Sequence, residues 1–298
     1  MRHFISMSRD YIIAEHRIRI EGEKLLRAVD TIEGFRPFLA NSSEPPLVTV
    51  TSEGTEDMLV PPFLKEEYSF VFENIHSIFG RTSNGYLFKA TPNDGDPQCL
   101  WGEKDGKVIY IKGRLEGDSQ TKRLVRFALW IAFGMSTARL DTIAIHTSTI
   151  TYQGRNVLFL GESGTGKSTH TRLWRQNIPG ATLLNDDSPI LRIVDGEPWI
   201  YGSPWSGKTH CYKNERHPLA ACVRLAQAPY NKIHKLRTVQ AYAAIHPSCP
   251  PEFAYDEYLY DGISRTLDAV LSQVPFYYLE CLPNAEAAKL SCKTIFGE

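Results

Sequence analysis

The sequence predicts a mixed α/β protein in two parts, on three observations. Residues up to about 120 carry short apolar–polar alternations separated by turn residues, the pattern of half-buried strands. Lys122 to Met135 (KRLVRFALWIAFGM) changes to the period of a largely buried helix. Asn156 to Thr169 (NVLFLGESGTGKST) runs from an apolar strand through a glycine-rich loop into a helix-forming stretch. The expected division is a β-rich α+β segment over 1–140, ending in the buried helix, and a second domain over 141–298 built around the glycine loop.

Composition narrows the function classes. With 298 residues, 42% apolar and 22% charged, the chain reads as a soluble globular protein with ample core. A net charge of −1 gives no electrostatic reason to expect nucleic acid or an anionic membrane as partner. Cys99, Cys211, Cys222, Cys249, Cys281 and Cys292 form no C-x-x-C pair, which argues against zinc and thioredoxin-like chemistry. Met1 to Arg9 has no long apolar run, and Leu124 to Met135 is too short to span a bilayer. A reducing cytoplasm is the expected compartment, with the cysteines as thiols.

In the first part, Tyr11–Ile20 (YIIAEHRIRI), Tyr68–Phe72, Tyr86–Lys89 and Val108–Ile111 read as strands. SSEPP at 42–46, TSNG at 82–85, PNDGD at 92–96 and EKDG at 103–106 read as turns. The last is placed to join Gln98–Trp101 and Lys107–Ile111 as a hairpin. His3, His16 and His76 are isolated and read as surface or core histidines. Arg17, Arg19, Lys122, Arg123 and Arg126 are balanced by nearby acids, so they read as a solvated face rather than a nucleic-acid patch. This part either recognises a substrate or supports the core.

The second part opens on Thr142–Ile150 (TIAIHTSTI), a β-branched strand, followed by a Gln153-Gly154-Arg155-Asn156 turn into Val157–Leu160. A tight turn would pair the two as a hairpin, unlike most P-loop proteins, where a crossover helix intervenes. Gly161 to Ser168 fits G-x-x-x-x-G-K-[ST]. Gly161, Gly164 and Gly166 free the backbone to approach a phosphate closely. The loop, with Glu162, Ser163 and Thr165 between the glycines and Thr169 beyond, would turn its N–H groups on anionic oxygens at the positive end of a helix. Lys167 would reach the β- and γ-phosphates of ATP, and the Ser168 hydroxyl would sit on Mg²⁺.

After the Pro179-Gly180 break, Leu183-Leu184 reads as a strand ending in Asp186-Asp187. Two adjacent carboxylates there allow one to hold the metal and the other to accept a proton from an attacking hydroxyl. His146, one hairpin away from the P-loop, is the second catalytic candidate. In Trp199–Lys208 (WIYGSPWSGK), Gly202, Pro204 and Gly207 make an irregular loop. Its Ser203, Ser206 and Lys208 either close over a phosphate or substrate, or merely connect strands. His210, Arg216 and His217 would add positive charge to the same pocket, and the basic run Asn231–Arg237 would lie near it. Leu219–Leu225 reads as a strand, Thr238–His246 as a helix stopped by Pro247 and Pro250, and Phe253–Leu271 as helix in pieces. Pro275–Leu282 closes as a strand and Asn284–Ile295 as a helix.

IAIHTSTI, GESGTGKST and NDDSPIL together resemble the HPr kinase/phosphorylase group, whose catalytic fold is related to ATP-dependent phosphoenolpyruvate carboxykinase. The Ile145-His146 pair precedes the P-loop by the family's spacing, and Asp186-Asp187 ends the next strand. GSPWSGK and the terminal VPFYYLECLPNAEAAKL look like a divergent kinase-like branch. The resemblance covers roughly Thr142 to Phe296. It implies a P-loop kinase core binding ATP and Mg²⁺, with Gly164, Gly166 and Lys167 on the phosphates. Ser168 and Asp186 would serve the metal, and Asp187 would act as base with His146 beside it. GSPWSGK stands where HPr kinases carry an R-G-containing signature, so the acceptor stays open among protein, peptide and small-molecule hydroxyls, serine of a protein or peptide first. A homo-oligomer is the assembly the resemblance implies. The alternatives are a small-molecule kinase or carboxykinase-like enzyme, and a nucleotide-binding regulatory module without turnover.

Overall fold

The computed structural model describes residues 7–72, 74–207 and 209–297, so His3 and Lys208 lie outside the described residues. The fold is mixed α/β, with two large mixed sheets and several helices. The chain divides into two units, Met1–Ala138 with Pro251–Tyr260, and Arg139–Pro250 with Asp261–Glu298.

The first unit holds β1 (Ser8–Ile13), β2 (His16–Glu21), α1 (Glu23–Asp30), β3 (Leu39–Ala40), β4 (Val48–Thr51), β5 (Lys65–Phe72), β6 (Ile75–Arg81), β7 (Gly85–Pro92), β8 (Gln98–Glu103), β9 (Val108–Lys112) and α2 (Ser119–Thr137). Its strands form one sheet in the order β3-β1-β2-β4-β9-β8-β7-β6-β5 among the described residues. β8 and β9 pair from Cys99↔Lys112 to Gly102↔Ile109, the hairpin expected from EKDG. Tyr11–Ile20 is not one strand. It folds back between β1 and β2 at Ala14 and Glu15, whose φ values are +49° and +64°. Such turns usually use Asn and Gly, so Ala-Glu leaves no mark in the sequence. His16 is buried near the Phe133 ring, whereas His76 is exposed. Arg17 and Arg19 both bind Asp10, at 2.5 and 3.0 Å.

α2 starts where the Asp118 carboxylate accepts from Thr121 N, and it buries Leu124, Val125, Ala128, Leu129 and Ile131. Gly134 has a packing role near its end: a Cβ there would lie 2.4 Å from the Phe253 ring. Phe253 stacks with Trp130 and meets Phe79 edge-on. The Tyr86 hydroxyl donates to Asp256 at 3.0 Å. These contacts hold 251–260 in the first unit, outside the expected 141–298 domain.

The second unit holds β10 (Thr142–Ala144), β11 (Thr147–Tyr152), β12 (Arg155–Leu160), α3 (Lys167–Asn177), β13 (Thr182–Asp187), β14 (Ile190–Val194), β15 (Glu197–Tyr201), β16 (Arg216–Gln227), β17 (Lys232–Lys235) and α4 (Thr238–Ile245), and later β18 (Phe276–Cys281) and α6 (Ala285–Phe296). Between them α5 (Glu257–Gln273) has its first residues in the first unit. The strand order is β10-β14-β15-β16-β12-β11-β13, with β18 on β16 and β17 on β18. β12, β16 and β18 run parallel, so their carboxyl ends open on one side.

The hairpin of β11 and β12 forms as expected, from Ser148↔Phe159 to Tyr152↔Arg155. Only Gln153 and Gly154 make the turn, with φ +49° and +70°. Thr142–Ile150, however, is two strands. β10 pairs with β14, and β11 pairs with β12 and β13. At the change of partner Ile145 N donates to Pro189 O at 3.0 Å, and His146 N to Ser248 O at 2.7 Å.

Phe159 of β12 and Trp174 of α3 centre the second unit's core with Val157, Ile150, Val223 and Leu279. His170 of α3 is buried in this core, 4.7 Å from Phe159 between ring centroids. Trp174 Nε1 lies 3.3 Å from His170 Nε2 and 2.9 Å from Ser291 Oγ on α6. Burial pushes the His170 imidazole down to about 4. Its ordinary value is near 6.5, so the unfolded chain binds a proton there that the folded one refuses. Stability is therefore full above about pH 6.5 and falls as pH drops, by about 3 kcal/mol in all on reaching pH 4. A His170→Gln variant is expected to lose much of this acid sensitivity. Urea melts of both proteins between pH 4 and 7 check it; an equally steep fall in the variant would remove His170 as the cause.

Candidate functional site

The site gathers at the carboxyl end of β12, where the chain enters the loop 161–166 and then α3. Gly164 and Gly166 take φ +83° and +109°, conformations costly for any residue with a side chain. A Cβ at either would meet no protein atom within 4 Å, and both line a cavity of about 390 Å³. Lys167, Ser168, His146, Asp186, Asp187 and Gly207 also line it.

Lys167 is buried, and its ammonium has three acceptors: Gly161 O at 2.7 Å, Glu162 O at 3.2 Å and His146 Nε2 at 3.1 Å. On its other ring nitrogen, His146 Nδ1 lies 3.2 Å from Asp187 Oδ1. In the tautomer that carries its hydrogen on Nδ1, Nε2 accepts from Lys167 and Nδ1–H donates to the Asp187 carboxylate. A continuous chain thus links Lys167, His146 and Asp187. Burial pushes the Lys167 ammonium below the usual lysine range, while the Asp187, Asp186 and Glu162 carboxylates oppose that shift.

The two aspartates differ in environment. Asp186 is 5% exposed, and the Ser168 hydroxyl donates to its Oδ1 at 3.0 Å. The Asp187 side chain is 39% exposed and faces His146. Asp187 also takes φ +128°, strained for a residue with a Cβ, and forms an isolated bridge with Ser206. Register places the pair beside β11, as Ser148↔Asp186 and Thr147↔Asp187.

The 202–207 loop serves the aspartates from behind. Ser203 is fully buried; its hydroxyl is within reach of Ser188 O and Trp205 O, and Asn185 Nδ2 approaches it at 3.3 Å. Ser206 is also buried, its hydroxyl 3.1 Å from Asp186 O and 2.6 Å from Thr209 O. Neither side chain lines the cavity; of the two readings, closing over a phosphate or substrate and merely connecting strands, their buried bonds are those of a connection that braces the aspartates. Gly207 N donates to Asp186 O at 2.6 Å. Arg216 is turned to Tyr201 and Trp199, and none of His210, Arg216 and His217 lines the cavity. The basic run around β17 lies on the outer strand of the sheet beside β18.

Two bracing residues have no sequence signature. Arg224 on β16 stands beside Leu160 in register and binds the Glu162 carboxylate at 2.7 Å. Gln227 Nε2 approaches Gly164 O at 3.2 Å and Thr165 O at 3.4 Å. Both reach the loop from a neighbouring parallel strand, which only the tertiary fold brings close. Asn185 is held within its own segment, its side-chain oxygen accepting from Ser188 N at 3.0 Å.

No protein-family model matches the chain, and no curated protein matches it significantly. Among the described residues no helix is long and apolar enough to cross a membrane, and no three His, Cys, Asp or Glu side chains converge as a metal cage.

Proposed function

We propose that this protein is an ATP- and Mg²⁺-dependent phosphotransferase with a P-loop core of the HPr kinase/phosphoenolpyruvate carboxykinase type, transferring the γ-phosphoryl group to a hydroxyl, foremost a serine of a protein or peptide. The observation that carries the reading is the chain Lys167–His146–Asp187 lying in one cavity with the Ser168–Asp186 pair and the glycine loop.

The residues fit Mg²⁺ and a nucleotide triphosphate. Magnesium is commonly held by one or two carboxylates, phosphate oxygens and waters rather than by a protein cage. A hydroxyl and a buried carboxylate 3.0 Å apart, at the foot of a phosphate-binding loop, suit that. When bound, Mg²⁺ would neutralise phosphate charge as the γ-phosphoryl group leaves. Asp187, the more exposed carboxylate, is the one an acceptor hydroxyl can reach, and it would take the proton. The acceptor oxygen bonds to the γ-phosphorus as the β–γ bridging P–O bond breaks, and ADP departs with that bridging oxygen. His146 would orient Asp187 through Nδ1–H, and Lys167 would carry positive charge to the transferring group. Catalysis on this scheme is positioning and charge stabilisation. The six cysteines stand as free thiols, in keeping with a proposed cytoplasmic setting.

Gly207 tests the positioning. An added Cβ would lie 3.1 Å from Asp187 Cβ and 3.3 Å from Asp186 O, so one of them must shift by tenths of an ångström. Gly207→Ala is expected to lower transfer by about tenfold with little change in ATP affinity. An affinity loss matching the rate loss would place Gly207 in binding instead.

The direct test mixes ATP labelled at the γ-phosphate with the purified protein, Mg²⁺ and lysate of the source cell, with Lys167→Ala alongside. Label on one protein or peptide, absent with the variant, supports the proposal and names the acceptor. Label only on small molecules replaces the acceptor class with a metabolite. ATP bound with no transfer anywhere overturns the enzyme reading in favour of a regulatory module.

A further inference from the structure

We propose that a basic surface running from the phosphate cavity along α3 selects the acceptor, a peptide segment with acidic side chains about two to four residues from the serine that is phosphorylated. This rests on the phosphotransferase reading above and names the chemistry of its acceptor.

Arg172 and Arg175 follow Ser168 by one and two turns of α3, and all three are exposed. Ser168 is the residue that donates to Asp186, so this face of the helix begins at the site. Lys213 joins it from the chain beyond the 202–207 loop. Cys211 fixes that chain to β13, its thiol donating to Leu184 O at 3.3 Å and its N–H to Ser206 Oγ at 3.3 Å. Burial raises the Cys211 thiol above its ordinary range, and Lys213 and Arg175 oppose the rise, so both cations stand near this point of β13. The same strand ends in Asp186-Asp187. The cations therefore lead back from the proposed base.

The fold does not neutralise these charges. Among the described residues no carboxylate pairs with Arg172, Arg175 or Lys213. Arg9, Arg27, Arg81, Arg139 and Arg224, by contrast, each bind one. α3 contains no acidic residue, and neither does Gly207–Lys213 (GKTHCYK). Glu215 is the first acid after it, and at Cys211 its effect is outweighed by Lys213 and Arg175. The excess is local, since the whole chain carries −1, which suits a short acidic segment better than a nucleic acid. The scale also suits a peptide. Arg172 and Arg175 lie about 6 and 10 Å from Ser168 along the helix axis, the reach of about two to three residues of extended chain.

The test measures kcat/KM of the full chain with MgATP on synthetic serine peptides carrying Asp, Ala or Lys at single and paired positions on either side of the serine. Peptides with two acidic residues are expected to lead their alanine counterparts by about tenfold, and the lead should shrink as salt is raised to about 0.5 M. An Arg172→Glu/Arg175→Glu variant, its fold checked by thermal melting and its MgATP affinity measured alongside, should lose that lead and favour the lysine peptides. Arg172→Lys/Arg175→Lys should keep it. Equal turnover of the three series, a lysine preference in the parent, or a variant that loses acidic and neutral peptides alike would overturn the basic surface while leaving the phosphotransferase standing. Transfer to a metabolite with none to any peptide would do the same. If the parent binds no ATP, the phosphotransferase reading fails and this proposal with it.

Discussion

Asp187→Asn is expected to bind MgATP as the parent does and to transfer phosphate about a hundred- to ten-thousandfold more slowly, the usual contribution of a positioned general base. Asparagine nearly matches aspartate in shape and can still meet His146 across the 3.2 Å contact. What it lacks is basicity. The loss should therefore fall on the rate and leave ATP affinity untouched, measured by single-turnover transfer and by calorimetry. Unchanged transfer would move the base elsewhere, and the buried Asp186 would be the next residue to examine.

Lys167→Ala should act on both binding and rate. Removing one preorganised charge that stabilises a developing anion typically costs about a hundred- to thousandfold in rate. Here the deletion also strips a donor from Gly161 O, Glu162 O and His146 Nε2 together. ATP affinity should fall with the rate, because the same ammonium would serve bound and transferring phosphate. Lys167→Arg should not rescue either quantity. A planar fork does not replace a compact ammonium with three acceptors around it in a buried site. Thermal melts separate these effects from unfolding. A variant that melts like the parent and still transfers phosphate would defeat the role given to Lys167.

The parts of the site legible in the sequence are those written in contiguous residues. Gly161 to Ser168 announces its loop because the spacing itself is the structure. Val157–Leu160 and a turn within Gln153–Asn156 point to the hairpin for the same local reason, though the turn itself is only Gln153 and Gly154. Asp186-Asp187 could be placed at a strand end from Leu183-Leu184 before it. Partner choice is what the chain hides. Nothing in TIAIHTSTI says that the strand leaves β14 for β13 at Ile145, yet that change sets His146 between Lys167 and Asp187. For Ser203 and Ser206 the sequence leaves a ligand loop and a plain connection equally open; their burial depends on Asn185 and the backbone around Asp186. Phe253 gave no hint that a gap at Gly134 would receive it.

The backbone of Asp187 carries an evolutionary consequence. At φ +128° a glycine would sit more comfortably than any aspartate. Mutational drift toward a sturdier fold at this position is thus drift away from the proposed base, and only selection on its carboxylate resists it. A descendant relieved of that selection would gain by accepting glycine there. On this reading, position 187 would separate working copies of the gene from those that persist merely as folded relics.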